Sequence, residues 1–201
     1  HTMQGFSQAA DNNKAAILAV LAKWLPHQAK LLEIGSGAGQ HAIHMAAALN
    51  HVHWQPTDRA PVLPMLTSNI AEYGTANILR PTALDLATQT WPAQTYDCVY
   101  SANVMHIVSS ELGENLICGA AKMLTADGLL ALYGPYKYAG DFTTPSNADF
   151  DLWLKARDAQ SGIRDFEWVH DLAARSGLRL MADQRMPAHT QMVIFKASAN
   201  E

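Results

Sequence analysis

The stretch Leu31-Leu32-Glu33-Ile34-Gly35-Ser36-Gly37-Ala38-Gly39-Gln40-His41 decides how the rest of the chain reads. A short apolar run enters it, an acidic residue stands two positions before the first glycine, and an alanine-rich segment leaves it. That order predicts a strand over 31–34, a glycine turn and a helix over 40–49, which is the crevice where an open α/β sheet holds a nucleotide-like ligand. Glycine spacing then sorts the ligands. A dinucleotide fingerprint, G-x-G-x-x-G, needs its third glycine at position 40, where Gln40 stands; here it comes one residue early, at Gly39.

The resulting Glu-x-Gly-x-Gly-x-Gly form is similar to that of methyltransferases that use S-adenosylmethionine (SAM). The chemistry agrees: a Glu33 carboxylate at the strand tip can accept a charge-assisted hydrogen bond from a cationic amino group, and it would repel a pyrophosphate. Gly35, Gly37 and Gly39 let the backbone turn tightly beneath a cofactor. Asp58 closes a predicted second strand over 53–57, in register with the glycine turn, where a carboxylate can accept from both ribose hydroxyls. Asp85, after a predicted third strand over 78–84, is read as a partner of the adenine amino group with Leu86 against the ring, or as an ordinary turn residue. Asn103, after a fourth strand over 96–101, is read as a cofactor or substrate ligand or as a turn cap.

The remaining pattern supports one α/β domain over 3–201, with His1-Thr2 ahead of Met3 read as a vector-derived remnant. An apolar face predicts an N-terminal helix over 11–25, and further helices are expected over 61–73, 111–124 (capped by Ser110), 146–159 (opened by a Ser146 to Asp149 box) and 165–176. A fifth strand is expected over 129–133. Runs 178–185 and 192–196 are joined by too few residues for a parallel crossover, so they predict an antiparallel hairpin. The fold expected is therefore a three-layer, Rossmann-like α/β sheet of seven strands, mostly parallel with one antiparallel C-terminal strand. Residues 134–165 read as a helical insertion, opened by a Gly-, Pro- and Tyr-rich loop over 134–147 that suits a lid.

Methyl transfer from a sulfonium asks the protein for orientation and exclusion of water, and for a base only if the nucleophile carries a proton. His106 is the best-placed titratable group and is read either as a base working near neutrality or as a packing histidine between Met105 and Ile107. Tyr133 and Tyr136 flank the exit of the fifth strand and are read as hydroxyl handles or as an aromatic wall. His41 and His44 share a helix face without a third ligand, so no metal site is expected. Trp153 is read as core, or as pocket lining with Phe150. Cys98 and Cys118 lie in apolar segments without CxxC spacing and read as reduced thiols.

The runs Leu32 to Ala42, Trp54-Gln55-Pro56-Thr57-Asp58, Ser101 to Ile107, Leu132-Tyr133-Gly134-Pro135-Tyr136, Pro145 to Asp151 and Gly162-Ile163-Arg164-Asp165 together resemble the methyltransferase-like protein 26 family. The resemblance spans about Phe6 to Lys196 and implies a class I methyltransferase fold and SAM binding. It also implies that Asn13, in Asn12-Asn13-Lys14, reaches the cofactor cleft, and it brings forward Asn147, Asp151 and Arg164 as substrate-side residues. Arg164 is read as pairing with Asp151 or Asp158, or as meeting an anionic substrate. The chain departs from the family pattern at Met186 to Thr190, where His189 and Thr190 replace expected asparagines.

The net charge of −4 and the scattered Lys and Arg residues speak against a nucleic-acid face. No apolar run approaches a membrane span, and no basic-then-apolar segment opens the chain, so a cytoplasmic protein is expected. The expected activity is SAM-dependent methylation of a small molecule, with S-adenosylhomocysteine as the product. The alternatives are a non-catalytic SAM-binding or protein-docking module and, opposed by Gln40 and Glu33, a nicotinamide-dependent oxidoreductase.

Overall fold

The computed structural model describes residues 3–198, so His1-Thr2 and the last three residues of the expected domain lie outside the described residues. Seven strands form a sheet in the order Thr82–Ala83, Val52–Asp58, Ala29–Ile34, Tyr96–Ala102, Leu124–Gly134, Thr190–Ala197 and Leu178–Met186, and three more form a small sheet, Asp141–Phe142, Tyr136–Tyr138 and Arg164–Asp165. The expected three-layer fold class is the one observed. The chain divides into two compact units with the boundary after Ser101.

The first unit contains α1 (Gln8–Trp24), β1 (Ala29–Ile34), α2 (Gln40–Ala48), β2 (Val52–Asp58), a 3-10 turn (Ala60–Val62), α3 (Leu63–Tyr73), β3 (Thr82–Ala83) and β4 (Tyr96–Ala102). Strand β1 pairs in parallel with β2 on one side and β4 on the other. Leu31, Leu32 and Ile34 are buried on both faces, as a central parallel strand requires. Helix α1 begins earlier than its apolar stripe suggests because the Ser7 hydroxyl caps it, accepting from the Ala10 N–H.

The third strand departs from expectation. Only Thr82–Ala83 pairs with β2, together with an isolated bridge between Trp54 and Ile78. Pro56 and Pro81 each lack an N–H, so a regular ladder fails between them. The buried side chain of Gln55 takes over that role: its Nε2 donates to the carbonyls of Pro56 (2.9 Å) and Arg80 (3.0 Å).

The second unit contains α4 (Ser110–Met123), β5 (Leu124–Gly134), β6 (Tyr136–Tyr138), β7 (Asp141–Phe142), α5 (Pro145–Arg157), β8 (Arg164–Asp165), α6 (Phe166–Arg175), β9 (Leu178–Met186) and β10 (Thr190–Ala197). The terminal hairpin forms as expected, with β10 antiparallel to both β9 and β5. The expected coil over 134–147 is instead a hairpin. Ala139 (φ 50°) and Gly140 (φ 81°) make its two-residue turn, and the Tyr138 ring stacks on Phe166 at 5.2 Å. Helix caps also shift. Ser109 caps α4 in place of Ser110, and Thr144 caps α5 with Pro145 at its first position, so the Ser146 box is not the start. Among the described residues, no helix is long and apolar enough to cross a membrane.

Replacing Gln55 by alanine should strand buried carbonyls beside two prolines and lower unfolding stability by about 1–3 kcal/mol. Urea denaturation reads the loss, and an unchanged midpoint would refute the bridging role.

Candidate functional site

In the first unit the glycine turn is held from both sides. Ser36 and Thr57 exchange bonds, the Ser36 N–H donating to the Thr57 carbonyl (2.8 Å) and the Thr57 N–H to the Ser36 hydroxyl (3.0 Å). The Ser36 hydroxyl in turn donates to Glu33 Oε1 (2.7 Å), and the Trp54 indole N–H donates to the same oxygen (3.0 Å). Gly37 adopts φ 57° with open space where a Cβ would stand, whereas a Cβ on Gly39 (φ 88°) would meet Leu66 at 3.0 Å and Ile70 at 3.1 Å. Conformation therefore demands the first glycine, and packing as well as conformation the second. The Asn69 amide, 2% exposed, bridges the carbonyls of Ala38 and Gln4, fastening the N-terminal segment to this turn.

Both acidic anchors named from the sequence work on the loop itself. Glu33 is 2% exposed, and burial pushes its carboxyl up to about 7 against the bonds from Ser36 and Trp54. Asp58 accepts the Gly37 N–H at Oδ2 (2.8 Å) and the Arg59 N–H at Oδ1 (2.7 Å). Gly35, at φ 75°, opens the same turn. Asp85 accepts the N–H of Ala87 (2.9 Å), which is the turn reading, and Leu86 beside it is buried.

A buried relay escaped the sequence reading. His41 Nε2 lies 2.7 Å from Asn13 Oδ1, and the Tyr100 hydroxyl lies 3.0 Å from His41 Nδ1. Because an amide oxygen only accepts, Nε2 carries the proton and Nδ1 accepts from Tyr100. Burial pushes His41 down to about 4, which keeps it neutral. Asn13 is thus tied to His41, a residue the sequence suggested only as a failed metal ligand. Its partners lie 28 and 59 positions away, beyond any local signal. Among the described residues, no cluster of His, Cys, Asp and Glu could hold a metal.

The second unit holds the residues expected on the acceptor side. Asn103 sits at φ 58°, a conformation asparagine tolerates, with its N–H on the Tyr133 carbonyl. His106 is 4% exposed, its ring edge-on to Phe150 at 5.5 Å. Burial, aided by the charge of Arg164, pushes it down to about 4, so it is not a base poised near neutrality. A Cβ on Gly134 would stand 3.4 Å from His106 Nδ1 and 4.0 Å from Asn103 Oδ1, so both polar groups converge over this bare residue. The Tyr133 hydroxyl accepts from Thr190 at 2.8 Å. Tyr136 is buried against Phe166 and its hydroxyl is pushed up, which makes it wall and not handle.

The three residues carried over as substrate ligands are spent on the chain itself. Asn147 donates to Thr143 and to the His189 carbonyl. Asp151 accepts the Ile163 N–H (2.8 Å) and pairs with Lys155 (2.9 Å). Arg164 donates to the carbonyls of Met105, Val108 and Gln160 and pairs with neither Asp151 nor Asp158. Trp153 is not core: it is 53% exposed, stacked on Phe150 with the Arg157 guanidinium 4.4 Å over its ring. A cavity of about 670 Å³ opens beside the β9–β10 turn, lined by Tyr138, Thr143, Asp183, Arg185, His189 and Gln191. Asp183 is oriented there by the Tyr138 hydroxyl (2.6 Å) and the Gln191 amide (2.8 Å). The only sequence sign of this cavity was the polar alternation of Asp183 and Arg185 on one strand face.

The strand order with its single antiparallel strand defines the class I methyltransferase fold. Solved structures of that fold are similar to the chain. Human N-acetylserotonin methyltransferase in complex with SAM matches with a TM-score of 0.81 at 13% identity, over 96% of this chain and 53% of that one. An O-methyltransferase family 2 protein from Planctomyces limnophilus in complex with apigenin matches with a TM-score of 0.74 at 18% identity, over 91% and 61%. An O-methyltransferase family protein from Burkholderia thailandensis matches with a TM-score of 0.76 at 15% identity, over 94% and 57%. The chain thus spans little more than half the length of each. Residues 4–197 match the model of the DUF938 family, described as proteins of unknown function, and the chain belongs to that family.

Glu33 sets a sign for the pH dependence of folding. A carboxyl raised to about 7 in the folded state favours the protonated form, so stability should fall as pH rises from about 4.5 to 7 and then level off. Glu33→Gln keeps an acceptor for Ser36 and Trp54 and should flatten this segment by up to about 3 kcal/mol. Unfolding curves of both proteins from pH 5 to 8 measure the difference; parallel profiles would rule out a buried, titrating Glu33.

Proposed function

We propose that the protein is an enzyme that transfers a methyl group from SAM to a small-molecule acceptor and releases S-adenosylhomocysteine. The observation that carries this reading is the pinned turn in the first unit, where Asp58 fixes the Gly37 N–H and the Glu33–Ser36–Thr57 network fixes the strand ends. The residues fit such a donor. Gly37 leaves open space above the turn, and Asp58, half-buried, keeps lone pairs for ribose hydroxyls. Glu33 supplies a carboxyl for a cationic amino group, with Asp85, Leu86 and Asn13 as the further cofactor-side residues. SAM, when bound, supplies an electrophilic methyl on a sulfonium whose leaving group is a neutral thioether.

On the acceptor side, Asn103 and His106 carry the hydrogen-bonding groups, with Tyr133 and Tyr136 as flanking wall. A neutral imidazole accepts a hydrogen bond yet takes up a full proton poorly, which suits a nucleophile already acidic, such as a phenol or thiol. The similar proteins named as O-methyltransferases support an oxygen nucleophile, and the resemblance of about Phe6 to Lys196 to the methyltransferase-like protein 26 family supports SAM as the donor.

Calorimetry with SAM and with S-adenosylhomocysteine should show binding of both. Asp58→Ala, which frees the Gly37 N–H, should weaken each at least tenfold. Absence of heat from either ligand would sink the reading. Incubation with SAM and a panel of phenols, thiols, amines and carboxylates should release S-adenosylhomocysteine; binding without release from any of them would instead support a SAM-binding module.

A further inference from the structure

The loop that follows β4 is held in an unusual way. Four successive carbonyls, those of Met105, His106, Ile107 and Val108, are all taken by the segment 161–164: Arg164 Nε donates to Met105, the Gly162 N–H to His106 (2.9 Å), the Ser161 hydroxyl to Ile107 and Arg164 Nη2 to Val108. The loop's own N–H groups turn inward, with Ile107 and Val108 both donating to the Val104 carbonyl. Residues 104–108 therefore form one hydrogen-bonded turn whose outward carbonyls meet a cation.

The clamp is itself braced. Asp151, 3% exposed, holds the Ile163 N–H with one oxygen and Lys155 with the other. Gly162 sits at φ 157°, and a Cβ there would meet Lys155 at 3.0 Å and Asp151 at 3.1 Å, so a side chain would push the segment off its brace. The guanidinium gains a third carbonyl, Gln160, so its fork is shared between the clamp and the loop. What this fixes is the His106 ring, whose backbone is bonded to Gly162 and whose edge rests on Phe150.

We propose that the Ser161–Arg164 segment is a clamp that sets the loop after β4 for acceptor binding, with Arg164 as its positioning residue and not a substrate ligand. The proposal rests on the methyltransferase reading for its purpose, while the clamp itself can be tested without turnover. Lysine at 164 keeps the charge and cannot span carbonyls that need a planar fork, so charge and geometry separate.

The experiment compares wild type, Arg164→Met and Arg164→Lys by amide hydrogen exchange and by NMR of the His106 imidazole. Both variants should speed exchange of the Ile107, Val108 and Gly162 amides at least tenfold and move the His106 ring signals. Only Arg164→Met should also raise the pH at which that ring titrates. Unchanged exchange and ring signals, or full restoration by lysine, would overturn the proposal. Should Arg164→Met fail to fold, Ser161→Ala, which removes only the Ile107 contact, carries the same test: faster exchange at Ile107 and Val108 supports the clamp, and wild-type exchange overturns it. A SAM titration of the wild type judges the methyltransferase reading separately, because a missing heat of binding leaves the exchange result standing.

Discussion

The first unit depends on one buried oxygen, Oε1 of Glu33. It receives both the Ser36 hydroxyl and the Trp54 indole, and through Ser36 it reaches the Thr57 backbone. A carboxyl in so dry a place is costly when charged, which is why burial, the largest influence on it, outweighs the two donors. The donors are there because a buried acceptor left without them would cost still more. The glycine turn is thus shaped by a group whose charge the fold resists, and any cation brought close to it would reverse that balance.

The second unit follows a related logic with the signs exchanged. Its buried Asn147 and Asp151 and its half-buried Arg164 serve the backbone: Asn147 braces the His189 carbonyl, Asp151 the Ile163 N–H and Arg164 a row of carbonyls. Loops that turn away from a sheet carry unpaired backbone groups, and side chains satisfy them where no strand does. A resemblance brings such residues forward as ligands because it registers that they matter, without registering to what. Their partners here are backbone groups of the chain itself.

What was legible in the sequence was what local chemistry determines. The glycine spacing required the turn, and the short link before Thr190 required an antiparallel hairpin. The third strand is shorter than its run suggests because Pro81 interrupts the ladder, and the Gln55 side chain satisfies the Arg80 carbonyl beside it. The small sheet was hidden for a different reason: its turn puts Ala139 where a hairpin usually shows Asn or Gly, and the Tyr138 stack on Phe166 holds it there. The partners of Arg164 and His41 were out of reach, since they lie 56, 59 and 28 positions away and are in part backbone atoms.

The titration behaviour of the candidate residues narrows what pH can do to this protein. His41 and His106 are both held neutral by burial, so neither imidazole changes charge across the neutral range. Tyr136 is displaced the other way, and its hydroxyl keeps its proton there too. Among these buried groups Glu33 alone is brought to about 7. A ligand bearing a cationic amino group, bound near that carboxyl, would favour its ionised form and expel a proton. Donor binding would then tighten as pH rises through neutrality, and its pH dependence would come from a carboxylic acid, although every residue type suggests a histidine.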